Sequence, residues 1–493
     1  MSFYTNIYYN FDFILLSEID NNGKKNFYKE KFCPSIFLPS KKVTEHKSVI
    51  GENLSEMTFE SYDSYKEFVT KYSSVPGFSI HGDIGTEYQF INKRYKTNIS
   101  YNYSDIDVMY IDIETSSEKG FPSIENPEEQ VIAISLTSTK NGKATFCLGV
   151  FSTKENIKVY EFQDEKELLK SFVKYFSDNY PDIITGWNVR FFDFPYLIKR
   201  MNKLIGKKYS KELSPWGILK EKFITRNGKE ELSYDIIGVS ILDYYELYKT
   251  FTYVNQESYR LDHIAYVELG QRKLSYKEYE SINDFYKKDF QKFIEYNIKD
   301  VELVQQLENK LKLIELAIAL AYSAGVNYQD VFSQVKTWDV IIYNYLSDSN
   351  TIIPARKRGS KDEQYAGAYV KEPIVGMHHW VVSYDLNSLY PHLIMQFNIS
   401  PETITNEGMR GVICPDGVLQ NSPVSMDQLE KNKQKNFSTA ANGTTYRKDI
   451  RGFLPELMEK MYKDRKMFKI KMIESKKDLE KINLELKSRG LTP

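Results

Sequence analysis

Asp112 and Glu114 close a short apolar run over 108–114, VMYIDIE. In an extended chain, residues two apart project from the same face, so both carboxylates point together from the end of one strand. Taken alone, such a pair is most often a solvated strand end. A second acid, Asp193, follows Thr185-Gly-Trp-Asn188 and Phe192, where a strand hands over to a helix; its ordinary role there is an N-cap. A third element, Tyr296-Asn-Ile-Lys-Asp300, sets a phenol and a carboxylate four apart, on one helical face. By itself that pair reads as a solvated face with a half-buried tyrosine. Jointly, four carboxylates and a tyrosine suit different chemistry: two divalent ions and in-line attack of water on a phosphodiester. One ion orients and acidifies the water and the other stabilises the leaving 3′ oxygen. Tyr296 hydrogen-bonds the water or the scissile phosphate. An all-oxygen donor set without His or Cys favours magnesium, with manganese as the alternative.

Residues placed so far apart need a folded frame. The 493-residue chain is 41% hydrophobic and 27% charged, which supplies buried cores and rules out wholesale disorder. Lys+Arg 66 against Asp+Glu 67 leaves a net charge of -1, so contact with a polyanion must come from local basic strips. Most of the 38 Tyr and 29 Phe read as compositional drift rather than as stacking surfaces. Cys33, Cys147 and Cys414 fit neither a disulfide framework nor a zinc pattern. The N-terminus, MSFYTNIYYNFDF, lacks a signal-peptide layout, and the most apolar stretch, 313–326, is too short to span a bilayer. A cytoplasmic protein is expected.

Residues 1–104 read as β-rich, with a hairpin turn at Asn22-Gly23 and a helix over 61–72. From 105 onward strands at 108–114, 131–137 and 183–187 alternate with helices at 165–176 and 193–201, an α/β pattern. Apolar residues at steps of three and four predict one long helix over 289–322. Beyond 340 come a basic junction at 355–361, an apolar strand over 380–386 and a helix-like turn from Tyr390-Pro391. A polar stretch with a hairpin at Asn442-Gly443 follows, then a helix over 455–489 stopped by Gly490.

DIET, GWNVRFFDFPYL and YNIKD resemble, in order, the three exonuclease motifs of family B DNA polymerases with DEDDy-type proofreading. The intervening wording, including 242–248 and 336–342, is similar to replicative polymerases of T-even-type bacteriophages. The resemblance implies an α/β multi-domain chain. Its parts are a β-rich N-terminal domain at 1–104, an RNase H-like 3′→5′ exonuclease domain at 105–339, the first part of a polymerase palm at 340–454 and a first fingers helix at 455–493. It implies metal binding and catalysis by Asp112, Glu114, Asp193 and Asp300, with Tyr296 catalytic and Asn188 touching DNA. Asp243 is read as a structural carboxylate.

The segment 365–373, YAGAYVKEP, is similar to the family's template-contacting linker, which implicates Tyr365 and Gly367. Residues 383–391, SYDLNSLYP, look like polymerase motif A. There Asp385 ends the apolar strand as a magnesium ligand, and Ser388 and Leu389 lie in the turn that meets the triphosphate. Tyr390 matches the position that packs under the sugar, and Arg465 the arginine on the incoming nucleotide. The family's Lys…Asn…Tyr-Gly and Asp-Thr-Asp motifs do not occur in residues 1–493. The expectation is therefore a proofreading nuclease joined to part of a polymerase. It would act on a primer-template and a single-stranded 3′ end, and would use a dNTP only with a C-terminal chain that supplies the missing motifs. A stand-alone single-strand exonuclease and a non-catalytic nucleic-acid-binding remnant are the alternatives. A phage-encoded chain would work in the host cytoplasm.

Overall fold

The computed structural model describes residues 2–96, 99–118, 120–226, 228–355, 370–405, 424–440 and 443–490. Tyr365, Gly367, Cys414, Asn442 and most of the basic junction lie outside them. By contact the chain divides into two units, Met1–Ser35 with Thr58–Tyr72 and Ile84–Asn344, and Ile36–Met57 with Ser73–Asp83 and Tyr345–Pro493.

The first unit begins with an antiparallel meander, Phe3–Asn10, Phe13–Ile19 and Lys25–Lys31. Gly23 (φ 74°) forms its second turn with a backbone that side chains disfavour. This meander is stitched to residues far along the chain. The Tyr4 hydroxyl donates to the Val326 carbonyl (2.7 Å), the Tyr322 hydroxyl to the Tyr4 carbonyl (2.7 Å), and Ile7 N–H to Asn327 Oδ1 (2.8 Å).

At the centre lies a six-stranded sheet, ordered Ile157–Phe162, Gly142–Leu148, Val131–Ser138, Val108–Thr115, Ile183–Thr185, Ser240–Ile241. Val108–Thr115 runs antiparallel to Val131–Ser138 and parallel to Ile183–Thr185. Its alternation is the cause of the site: Ile111 and Ile113 enter the core while Asp112 and Glu114, largely but not fully buried, project from the other face. The Glu165–Asp178 helix, capped by Asp164, and the Asp193–Leu204 helix cover the core side through Leu169, Phe172, Phe176, Leu197 and Met201. The Phe290–Leu311 helix packs against the opposite face, on Val108–Thr115 and Val131–Ser138.

The single helix expected over 289–322 is two, Phe290–Leu311 and Leu313–Ala324. Lys312 between them is left-handed (φ 57°). Buried Glu308 spans the break by accepting hydrogen bonds from Ile314 N–H (3.0 Å) and Glu315 N–H (3.4 Å). A straight helix of that length, about 50 Å, would carry its second half away from the core. The break instead lets Ile314, Ala317, Ile318 and Ala321 bury against the Tyr244–Phe251 helix.

The second unit holds a four-stranded sheet, ordered Thr351–Ile352, His46–Ser48, Asn53–Thr58, Ser35–Pro39. It also holds the Leu389–Phe397 helix packed on the Phe453–Ser488 helix, and a hairpin of Phe437–Thr439 with Thr445–Arg447. The strand expected over 380–386 is not formed. Trp380, Val381, Val382, Tyr384 and Leu386 are exposed, and no described strand pairs with them. A strand exists only through ladder partners for its N–H and C=O groups, and hydrophobicity alone does not supply one. Among the described residues no helix is long and apolar enough to cross a membrane.

Candidate active site

Asp112, Glu114 and Asp300 converge: one carboxylate oxygen of each lies within 4.8 Å of the others. The Val108–Thr115 strand supplies two of them, and its ladder shifts register between Glu114 and Thr115. Such irregularities re-aim side chains beside sites. The helix Phe290–Leu311 supplies the third. Tyr296 and Asn297, on the preceding turn, face the same way. Asn297 Nδ2 donates to Asp112 Oδ2 (2.7 Å).

Lys273 enters from the segment after the Leu261–Leu269 helix. Its ammonium donates to Asp300 Oδ2 (2.5 Å) and to the Tyr296 hydroxyl (3.2 Å), so phenol and carboxylate share one cation. Tyr296 is held edge-on by Tyr276 and Phe285, with ring centroids 5.7 and 6.1 Å away.

Asp193 lies beside this cluster rather than in it. It opens its helix without a side-chain cap; instead its Oδ1 accepts the Ile113 N–H (3.1 Å), between the two acidic positions of the strand. The turn before it is built for close approach. A Cβ on Gly186 would stand 2.4 Å from the Ile111 carbonyl oxygen and 2.3 Å from Val189 Cγ1. Asp243, fully buried, accepts N–H groups from Asn188 (3.0 Å), Arg190 (2.9 Å) and Tyr245 (2.9 Å), and so fixes the turn from below. Asn188 is left-handed (φ 71°).

The electrostatics follow from this crowding. Burial, then the charges of Asp193, Asp300 and Glu114, pushes the Asp112 carboxyl well above its usual range, with Lys273 opposing. Burial and the Asp300 charge raise Glu114 to about 8, and burial raises Asp193 to about 7. Burial also raises Asp300, against the pull of Lys273. The Lys273 ammonium is disfavoured by burial, yet Asp300, Tyr296 and Asp112 hold it firmly charged.

The donor set fits a divalent cation. Three carboxylates converge without His or Cys, their mutual repulsion is only partly relieved by Lys273, and Asp300 Oδ1 is buried without a hydrogen-bond partner. Beside this cluster opens a cleft of about 1300 Å³, lined by Phe121, Trp187, Phe191, Tyr245, Arg226 and Lys273, among others.

In the second unit, Ser388 is left-handed (φ 53°) at the start of the Leu389–Phe397 helix, and Arg465 Nη1 donates to its hydroxyl (2.9 Å). Asp385, Leu389 and Tyr390 are exposed nearby in sequence. Asp385 stands in irregular backbone, not at the end of a strand as expected.

Two residues of the first site were not singled out from the sequence. Asn297 was within reach, since it lies three before Asp300 and therefore on the same helical face. Lys273 carried no signal, because it follows the left-handed Gly270 in a segment without period.

Comparison with known proteins places two family models on the chain. The model for the DNA polymerase family B exonuclease domain matches residues 81–264, and that for DNA polymerase family B matches residues 333–489. The DNA-directed DNA polymerase of Escherichia phage RB69 is 30% identical over 98% of this chain and 55% of its own length. That of Enterobacteria phage T4 is 30% identical over 94% and 53%. The chain belongs to the family B DNA polymerases. More distant kinship extends to the polymerase delta catalytic subunit of Schizosaccharomyces pombe, 25% identical over 73% of the chain. The chain spans about half the length of the phage relatives it matches. The exonuclease match ends at 264, before Tyr296 and Asp300. What ties those two to the first motif is geometry, the packing of the Phe290–Leu311 helix against the Val108–Thr115 strand.

Proposed function

We propose that residues 105–339 form an RNase H-like 3′→5′ exonuclease domain that trims single-stranded DNA ends. A β-rich domain (1–104) precedes it, and part of a palm (340–454) and a first fingers helix (455–493) follow. The observation that carries the reading is the convergence of Asp112, Glu114 and Asp300 beside an aromatic and basic cleft. Asp112, Glu114 and Asp300, with Asp193 adjoining, would hold two divalent ions, magnesium or manganese. When bound, these supply an activated water and stabilise charge on the leaving 3′ oxygen.

The remaining work falls to the protein. Asn297 orients Asp112 through its 2.7 Å bond, and Ile113 N–H fixes Asp193. Lys273 holds the Tyr296 hydroxyl in place, while burial and the Asp300 charge keep the phenol protonated against the pull of that ammonium, so the phenol donates to the attacking water or to a phosphate oxygen. The aromatic walls exclude solvent from the terminal bases and give them faces to stack on. Asp112→Ala in the full chain is expected to abolish magnesium-dependent digestion of a single-stranded oligonucleotide. Digestion that persists in the variant overturns the assignment.

For synthesis, Arg465 and Ser388 meet at 2.9 Å from two helices, and with the Leu389 backbone they suit a triphosphate; Tyr390 would pack under its sugar. Asp385 would hold magnesium there, and in-line transfer needs further carboxylates that residues 1–493 do not supply as an Asp-Thr-Asp motif.

A further inference from the structure

Arg226 is held in the wall of the cleft as few surface arginines are. Its guanidinium lies 4.6 Å from the Tyr245 ring centroid and 4.8 Å from that of Phe191, gripped by two aromatic rings. Nη1 donates to Asn188 Oδ1 (3.4 Å) and to Glu231 Oε2 (3.3 Å), both long contacts, and among the described residues no other oxygen engages this head group. The side chain is about one-fifth exposed, and its ionic partner Glu231 about two-fifths. Arg226 ends the Leu219–Arg226 strand, and the hairpin returns through Lys229–Ile236, which brings Glu231 alongside.

An arginine immobilised by stacking has already lost the rotamer freedom that a flexible cation gives up on binding. Its planar fork then offers a ready pair of donors to a phosphate. The other cations of the cleft, Arg260, Lys273 and Lys199, are placed differently: among the described residues Arg260 stacks on no aromatic ring. Lys273 is committed to Asp300, and Lys199 to Glu221 across the surface. The cleft itself, about 1300 Å³, exceeds the roughly 300–1,000 Å³ of a drug-sized ligand site. It therefore has room for more than the nucleotide whose bond is cut. It extends from Lys273, at the carboxylate cluster, to Arg226.

We propose that Arg226 grips a backbone phosphate of single-stranded DNA upstream of the scissile bond, and that this phosphate displaces Glu231 from the guanidinium. The inference rests on the exonuclease reading of the same site and names the residue that holds the strand on its approach. Glu231 is then a built-in competitor, which sets how readily a strand enters.

The test separates binding from hydrolysis. Binding of a fluorescent single-stranded oligonucleotide to the full chain is followed by anisotropy in chelator over a range of salt. Digestion is measured separately in magnesium. Arg226→Met should weaken binding about five- to twentyfold and flatten the slope of log K against log salt by about 0.7, the value for one phosphate contact on a single strand. Arg226→Lys should keep the slope and recover only part of the affinity, because lysine retains charge but not the stacked fork. Glu231→Gln should tighten binding. In digestion, Arg226→Met should raise KM by the same factor while kcat changes less than about twofold. Unchanged affinity and slope in Arg226→Met, or weaker binding in Glu231→Gln, overturns the proposal. Loss of all digestion by the unaltered chain, with these binding effects intact, instead overturns the nuclease reading and leaves the phosphate contact standing.

Discussion

Glu114→Gln should make the metal-free protein more stable, though it removes a carboxylate of the proposed metal site. Glu114 is raised from 4.5 to about 8, by burial first and by Asp300 second. A carboxyl whose folded pKa lies above its unfolded value favours the native state at low pH. That contribution is complete below about 4.5 and is lost as pH rises through about 8. Each tenfold change in proton affinity is worth about 1.4 kcal/mol. At pH 8, with the native carboxyl half-titrated, the native state therefore carries a cost of roughly 4 kcal/mol. Glu114 still touches solvent and shares its repulsion with Asp112, which reduces the figure to about 2 kcal/mol. Glutamine keeps the shape and removes the charge. Thermal melts in chelator at pH 8 should then place Glu114→Gln above the unaltered chain, with the gap narrowing at pH 6. Magnesium should reverse the order, since ion binding stabilises only the form that holds it. A variant that melts at or below the unaltered chain in chelator at pH 8 would refute the argument, because the crowded carboxylates would then cost nothing.

Two further changes probe the scaffold. Gly186→Ala would drive a methyl group to 2.4 Å from the Ile111 carbonyl oxygen, so the turn carrying Asn188 must shift. A loss of about 1–3 kcal/mol by denaturant titration is expected, together with slower digestion, and unaltered stability would refute the close approach. Arg200→Met leaves Glu165 buried without the bidentate partner now at 2.6 and 2.8 Å, and frees the carbonyls of Pro127 and Glu128. The unfolding free energy from denaturant titration should fall by about 3–5 kcal/mol, and Arg200→Met with Glu165→Leu should recover much of that.

The parts of the fold legible in the sequence were those whose pattern has a local cause. The strand Val108–Thr115 shows alternation, the Glu165–Asp178 helix shows apolar steps of three and four behind an Asp cap, and Asn22-Gly23 shows turn chemistry. Periodicity failed where a tertiary contact decides. The apolar steps run unbroken through Lys312, and what ends the helix there is a carboxylate, Glu308, bonded to the next two free N–H groups, together with the core that receives Ile314 and Ile318. Residues 380–386 are the converse case, since hydrophobicity names a strand but only a neighbour makes one. For the same reason the first hundred residues divide between two units: Tyr4 and Ile7 are bonded to residues 322–328, whereas Phe37 pairs with His81 in the other unit.

The site divides along the same line. Asp112, Glu114 and Asp300 were legible only jointly: each element by itself reads as a solvated strand end or helix face, and it is their combination that points to one site, where the structure brings the three carboxylates within 4.8 Å of one another. Lys273 was not, because a lone lysine has the same appearance on any surface; its meaning comes wholly from the 2.5 Å contact with Asp300. That contact also explains how the cluster is tolerated in the metal-free protein. One ammonium offsets part of a charge set that would otherwise repel, and it leaves Asp300 Oδ1 free to face a cation. Replacing Lys273 by Met should therefore destabilise the metal-free protein more at pH 8 than at pH 6, the opposite trend to Glu114→Gln. Parallel pH trends in the two variants would mean that the ammonium and the carboxylates do not share one electrostatic cluster.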